Sequence, residues 1–169
     1  MPKHENTGKC DKCLEILGKF PGFHKGLEDW FKALQKKVPD AHVSCGGRGK
    51  ADQEDAFKKG TSKAHYGKSA HNFNLALDIF RLTMAGAEWP KEWFRDKVGT
   101  EVFKHNASPE KKFDLEWYGK PGSKFYELPH LEVDDWREMA ARGEAKLVEV
   151  EKEEVTPHSM STVPCKDNI

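Results

Sequence analysis

The chain has 169 residues, which lies within the usual range for one domain and is enough for a hydrophobic core around one site. Its 28 basic and 28 acidic residues balance, so no overall field draws the chain to nucleic acid or to an anionic membrane surface. The polar start lacks an apolar core of signal-peptide length, and no apolar run could span a bilayer. We therefore expect synthesis in the cytoplasm without membrane insertion. We also expect a monomer.

An amphipathic helix and a short strand are predicted in the first third of the chain. Apolar side chains at three- and four-residue steps indicate a helix over residues 24–38. Residues 41–45 follow as a strand candidate, which Gly46 and Gly47 end because glycine lets the backbone turn sharply. Arg48 therefore projects from the end of a strand.

A buried strand that contains an acidic residue is predicted from Leu75 onward. Before it, Asp52 suits the N-cap of a short helix that stops at Gly60, and residues 62–70 are predicted as a loop. Period-two alternation then begins at Leu75, as in a strand with two distinct faces. Asp78 is thus an acid within a strand otherwise built to be buried.

The rest of the pattern completes an α+β fold. It predicts a helix near residues 91–98 that can resume past Gly99 to Lys104, and a last helix capped by Asp134 or Asp135. Residues 113–118 and 130–133 are predicted as strands. Together these elements predict a small, mainly antiparallel sheet with flanking helices. The limits that we expect are an N-terminal extension over residues 1–22, one domain over 23–143 and an acidic, flexible C-terminal tail over 144–169.

A histidine and an aspartate seven residues apart are the first candidate metal ligands. On one uninterrupted strand His71 and Asp78 would point to opposite faces, so the register must be reset between them. The stretch from Asn72 to Asn74 can do this, since asparagine tolerates the left-handed conformation and permits a turn before the strand. His71 and Asp78 can then converge on one point.

His130 completes a ligand set of the zinc type. Zinc takes imidazole and carboxylate ligands at about 2.0–2.2 Å and keeps one position for water in a catalytic site. Pro129 fixes the backbone before the last strand, so that His130 enters on a rigid edge. Glu127 can accept the proton of a zinc-activated water and later deliver it to the leaving amine. Arg48 is our candidate for stabilising the oxyanion.

Several motifs in a fixed order match a known family. They are Cys45-Gly-Gly-Arg48, Gln53, Lys59-Gly-Thr-Ser62, Ser69-x-His71, Ala76-x-Asp78 and Glu127-x-x-His130. This run resembles the LAS-type zinc peptidases, which include D-Ala-D-Ala dipeptidases, D-Ala-D-Ala carboxypeptidases and phage L-alanyl-D-glutamate endopeptidases. The family usually has glycine where this chain has Asn74, and asparagine is the least costly replacement if the backbone needs a positive φ.

The resemblance implies a hedgehog/D-Ala-D-Ala-peptidase-like zinc fold and a zinc-dependent peptidase. Zinc is then the cofactor, held at the positions of His71, Asp78 and His130, with Glu127 as the acid/base group and Arg48 as the transition-state stabiliser. The implied partner is the stem peptide of bacterial peptidoglycan. A phage endolysin, made in the host cytoplasm and released to the cell wall, fits a chain without a signal peptide.

The branch of the family stays open. The stretch Trp117-Tyr118-Gly119 looks most like the endopeptidase branch, whose members usually carry Trp-Gly-Gly there and an aspartate at the position of Glu127. Glutamate at that position is similar to the dipeptidase branch, so a D-Ala-D-Ala carboxypeptidase or dipeptidase is an alternative. A zinc-stabilised binding module without turnover is another, since hedgehog domains resemble these peptidases without needing their activity. Ser69, Trp117 and Tyr118 are the candidate substrate contacts.

The other histidines and cysteines have structural interpretations. We expect surface, hydrogen-bonded or loop roles for His4, His24, His42, His65, His105 and His158. Cys10-x-x-Cys13 could begin a zinc knuckle with His4 or His24, but a second CxxC or CxxxxH partner is absent from the sequence. Two free thiols are therefore the interpretation that we prefer. Ser69 also suits a hydrogen bond within its loop.

Overall fold

The computed structural model describes residues 2–123 and 126–148. Its helices are α1 (Asp11–Leu17), α2 (Lys25–Lys37), α3 (Lys50–Lys58), α4 (Lys91–Trp93), α5 (Thr100–Ala107) and α6 (Trp136–Ala141), with a 3-10 turn at Ala70–Phe73 and a π-helical turn at Phe94–Gly99. The strands are β1 (Ala41–Cys45), β2 (Ala76–Thr83), β3 (Gly86–Glu88), β4 (Leu115–Trp117) and β5 (His130–Val133). None of the described helices is long and apolar enough to cross a bilayer.

One antiparallel sheet of five strands forms the centre of the fold. The strand order is β1-β2-β5-β4, and β3 pairs with the far end of β2. Helices flank this sheet, so the predicted α+β architecture is confirmed. The expected edge position of His130 is wrong, because β5 lies between β2 and β4 and both of its neighbours pair with it. Pro129 does precede the strand, and its carbonyl accepts a hydrogen bond from the Ile79 backbone N–H at 2.9 Å.

The first residues of the chain contribute to the same core. The sequence indicated no element before residue 24, yet α1 buries Cys13 and Leu17 completely. Both side chains belong to the hydrophobic cluster that also contains Val43 of β1. The division into extension, domain and tail stays a prediction, and residues 149–169 of the expected tail lie outside the described part of the chain.

A capped turn resets the chain between the two predicted metal ligands. The Ser69 hydroxyl accepts a hydrogen bond from the His71 backbone N–H at 3.3 Å, and this capping begins the 3-10 turn. Asn74 ends the turn with φ of 59°, the left-handed conformation that the sequence predicted. The strand starts two residues later, so His71 and Asp78 need not obey the parity of a single strand.

Candidate metal centre

His71 is oriented by a hydrogen bond from its outer ring nitrogen. Nδ1 lies 2.8 Å from the carbonyl oxygen of Gly46, which can only accept, so Nδ1 carries the proton. The other nitrogen, Nε2, lies 3.2 Å from Oδ1 of Asp78 and has no hydrogen-bond partner among the described residues. A buried ring nitrogen held this way presents its lone pair to a metal.

Asp78 stands between the two histidines. Its Oδ1 lies 3.2 Å from Nε2 of His71 and 3.2 Å from Nδ1 of His130, and its side chain is fully buried. Burial alone would raise the pKa of this carboxyl. The charge on His71 and the hydrogen bond from His130 outweigh that effect and hold the pKa of Asp78 well below its usual range.

His130 is held from behind by a second carboxylate. Its Nδ1 faces Asp78, while its Nε2 lies 2.8 Å from Oε2 of Glu132. Burial would lower the pKa of this imidazole, but the hydrogen bonds to Asp78 and Glu132 and the charge of Glu127 raise it well above its usual value. The Tyr118 ring stacks on His130 with a centroid distance of 5.9 Å.

The distances from Asp78 to the two histidines match the spacing of zinc ligands. Ligand bonds of about 2.0–2.1 Å in tetrahedral geometry place neighbouring ligand atoms about 3.3 Å apart. The two histidine-to-aspartate distances of 3.2 Å match this spacing. Two imidazole nitrogens and one carboxylate oxygen are also the donor types that catalytic zinc sites use.

Glu127 and Arg48 lie beside these ligands. The side chains of Asp78, Glu127 and His130 bring one ligand atom each to within 4.8 Å of the others. Nη2 of Arg48 lies 4.0 Å from Oδ2 of Asp78. Asp78 therefore belongs to two candidate ligand groups, one with Cys45 and His71 and the other with Glu127 and His130.

A buried amide network fixes Arg48. Its backbone N–H donates to the His71 carbonyl at 2.9 Å, and its own carbonyl accepts from Nδ2 of Asn72 at 3.0 Å. Its guanidinium donates to Oε1 of Gln53 at 3.0 Å, and Gln53 in turn donates to the Ser62 hydroxyl. The motif residues Gln53 and Ser62 therefore position the arginine, a role that the sequence did not reveal.

Glu132 is the main residue that sequence reasoning missed. It is buried, and besides His130 it accepts hydrogen bonds from the Tyr118 hydroxyl at 2.8 Å and from Nε1 of Trp136 at 3.2 Å. A signal was available, since a residue two positions after a ligand on a strand faces the same side.

The predicted substrate contacts have different surroundings. Ser69 is buried and caps the 3-10 turn, and Trp117 lies in the hydrophobic core, where Nε1 donates to the Leu128 carbonyl. Tyr118 stacks on the ring of His130, whereas Ser69 contacts only the backbone of His71 among the predicted ligands. The five candidate site residues are each at most 3% exposed. A substrate role for the three contacts stays a prediction.

The remaining described histidines fall into two groups. His24 caps α2, His65 pairs with Glu54, and His105 bonds to the Phe113 carbonyl, all of which are hydrogen-bonded roles. His4 and His42 instead lie beside Cys10 and Cys13, neither of which forms a disulfide. His158 lies outside the described residues.

The fold is shared with a solved peptidase. No family model and no curated protein matches the sequence. Among solved structures, the Serratia marcescens L-Ala D-Glu endopeptidase ChiX superposes with a TM-score of 0.60 and 20% identity, over 76% of this chain and 90% of that chain. This likeness establishes a common fold.

Proposed function

We propose that this chain is a zinc metallopeptidase that hydrolyses a peptide bond in the stem peptide of bacterial peptidoglycan, as an L-alanyl-D-glutamate endopeptidase of the phage endolysin type. The supporting observation is that His71 and His130 each lie 3.2 Å from Oδ1 of Asp78, with Glu127 and Arg48 adjacent. The fold shared with an L-Ala D-Glu endopeptidase supports the choice of bond.

The residues around the metal divide the chemistry between them. When bound, zinc supplies a Lewis acid that polarises a carbonyl and makes water more acidic. Glu127 has a carboxylate within reach of the ligand cluster, and its oxygen takes the proton of the attacking water and returns it to the leaving amine. A base and acid in one side chain is what amide hydrolysis needs, because the amine leaves only when protonated.

Arg48 stabilises the negative charge that develops on the former carbonyl oxygen. Its guanidinium is buried and held by Gln53, so it does not have to reorganise as that charge appears. Its 4.0 Å distance from Asp78 places it at the edge of the ligand cluster. A fixed cation beside a base and three ligands favours turnover over a purely structural zinc module.

The test separates metal binding from catalysis. Glu127→Gln keeps the size of the side chain and removes its basicity, so we expect it to retain zinc and to lose activity on isolated sacculi by about 10²–10⁴-fold. His71→Ala should lose the zinc of this site as well as activity. His65→Ala changes a histidine that pairs with Glu54 outside the cluster and should leave both unchanged.

New amino termini and fragment masses are the readouts. Cleavage between L-Ala and D-Glu frees a peptide that begins with D-Glu, whereas a carboxypeptidase would free D-Ala alone. Release that survives chelation, or that Glu127→Gln leaves at the wild-type rate, would contradict the proposal. Zinc binding without any cleavage would identify a binding module instead.

A further inference from the structure

A second group of metal-ligand side chains lies where the start of the chain meets β1. His4, Cys10, Cys13 and His42 each bring one ligand atom to within 4.8 Å of the others. Cys10 and Cys13 are at most 1% exposed, and His42 is fully buried. This cluster shares no residue with the centre around Asp78.

The distances within the cluster match those around tetrahedral zinc. Zinc bonds of about 2.3 Å to sulfur and about 2.0–2.1 Å to nitrogen place a sulfur and a nitrogen ligand about 3.6 Å apart. Nδ1 of His4 lies 3.4 Å from Sγ of Cys10 and 3.5 Å from Sγ of Cys13. Nδ1 of His42 lies 3.4 Å from Sγ of Cys13.

Both sulfur atoms are used as hydrogen-bond acceptors. The backbone N–H of Cys13 donates to Sγ of Cys10 at 3.4 Å, and the backbone N–H of Val43 donates to Sγ of Cys13 at 3.3 Å. The buried amide of Gln35 adds a second donor to Sγ of Cys13 at 3.6 Å. Donors aimed at sulfur favour the thiolate, which is the form that binds metal. The hydrogen bond from Cys13 lowers the pKa of Cys10, whereas burial raises the pKa of Cys13 in the absence of a metal.

The nitrogen of His42 that faces the cluster is set by the structure. Nε2 of His42 lies 2.7 Å from Oδ1 of Asn6, an oxygen that only accepts, so Nε2 carries the proton and Nδ1 offers its lone pair to the cluster. A ligand histidine whose outer nitrogen is held by an oxygen is typical of protein metal sites. Asn6 also donates to the Leu82 carbonyl of β2, which fixes the amide.

We propose that His4, Cys10, Cys13 and His42 form a structural zinc site of the Cys₂His₂ type. Four protein ligands leave no open position, as in structural rather than catalytic zinc sites, and thiolates select zinc over magnesium or calcium. The site joins the first residues to α1 and to β1, at the opposite end of β1 from Cys45, which pairs with Asp78. Its role is to hold the chain start against the sheet.

Metal content and cobalt spectra test this site in the full chain. We expect two zinc ions per wild-type chain, and one in the Cys10→Ser, Cys13→Ser double variant. After exchange with cobalt, the wild type should show sulfur-to-cobalt charge transfer, which a centre of histidine and aspartate cannot give. His71→Ala should keep that absorption, so the result does not depend on the proposed peptidase activity. His65→Ala is the matched control and should keep both the zinc and the absorption.

A measurement on the wild type covers the case in which the double variant fails to fold. Titration with p-hydroxymercuribenzoate should release one zinc ion per chain, because the mercurial removes the two thiolate ligands. Absence of cobalt–thiolate absorption, or a thiol titration that releases no zinc, would overturn the proposal. Mass spectrometry that finds Cys10 and Cys13 joined in a disulfide in the purified protein would overturn it as well.

Discussion

Glu132 fixes the orientation of a metal ligand at the scale of a single residue. Its carboxylate accepts hydrogen bonds from the His130 ring, the Tyr118 hydroxyl and the Trp136 indole. These hydrogen bonds offset the free-energy cost of burying the carboxylate. Burial would raise the pKa of Glu132, but the hydrogen bond and charge of His130 lower it, so the group stays ionised. An ionised partner makes the opposite ring nitrogen a better donor to a metal.

Replacing Glu132 by glutamine should therefore weaken metal binding without unfolding the protein. We expect Glu132→Gln to raise the zinc dissociation constant by about 10–100-fold, since outer carboxylates typically contribute that much. Competition with a chromophoric chelator measures the constant. Glu116→Gln is a matched control, because Glu116 lies opposite Glu132 in the β4–β5 pair. Equal affinities for both variants would show that Glu132 does not support the ligand.

Asn74 should tolerate glycine better than alanine. Both substitutions remove the hydrogen bond from Nδ2 to the Pro21 carbonyl, but only alanine keeps a Cβ at φ of 59°. The left-handed backbone should make Asn74→Ala about 1 kcal/mol less stable than Asn74→Gly in urea unfolding. If alanine proved as stable as glycine, the turn would not be held in this conformation in solution.

The sequence selected the candidate ligands but not the residues that support them. The alternation of side chains along a strand required a turn between His71 and Asp78, and the order of the motifs added His130. These residues could therefore be selected from local sequence patterns. Gln53 is different, because its contacts to Arg48 and Ser62 arise from chain segments that meet only in three dimensions. The pairing of His4 with His42 could not be predicted for the same reason, as 37 residues lie between them.

At the scale of elements, the side chain of His24 caps the start of α2. Nδ1 of His24 accepts a hydrogen bond from the Leu27 backbone N–H at 3.0 Å, so the imidazole serves as the N-cap. A protonated ring could not accept this bond. Burial lowers the pKa of His24, although the charge of Asp135 opposes that effect.

Stability should therefore fall in acid through His24. A histidine whose folded pKa lies below its unfolded value of about 6.5 stabilises the fold above that pH, and the contribution is lost as pH falls through the folded pKa. His24→Asn keeps a capping side chain and removes the titration. We expect the stability of wild type relative to this variant to decline below about pH 6.5 in urea unfolding. Parallel pH profiles would contradict this role.

Short elements explain what the sequence missed in the fold. Helix α1 has seven residues and β3 has three, which is too short for a hydrophobic period to be recognised. The longer α2 and the strands β1, β2 and β5 were predicted within a few residues of their observed bounds. The interior position of β5 could not follow from Pro129, since strand order is decided by the pairing of segments distant in sequence.

At the scale of the whole molecule, the strand order brings together two residues of the candidate metal centre. Asp78 and His130 pair directly across β2 and β5, although 51 residues separate them in the chain. His71 approaches from the turn that precedes β2. A metal held by all three joins segments that come together only in the folded state, so its binding free energy adds to folding stability.

Loss of one ligand should therefore reduce the stabilisation that zinc provides. At zinc about 100-fold above the dissociation constant, one site contributes about 2.7 kcal/mol, and each kcal/mol shifts Tm by about 2–4 °C in a chain of this size. The zinc-dependent rise in Tm should thus be about 5–10 °C smaller in His130→Ala than in wild type. Glu127→Gln should keep the full rise, because this carboxylate transfers protons and is not needed to hold the metal. An undiminished rise in His130→Ala would show that zinc stabilises the fold from elsewhere, and a reduced rise in Glu127→Gln would make Glu127 a ligand.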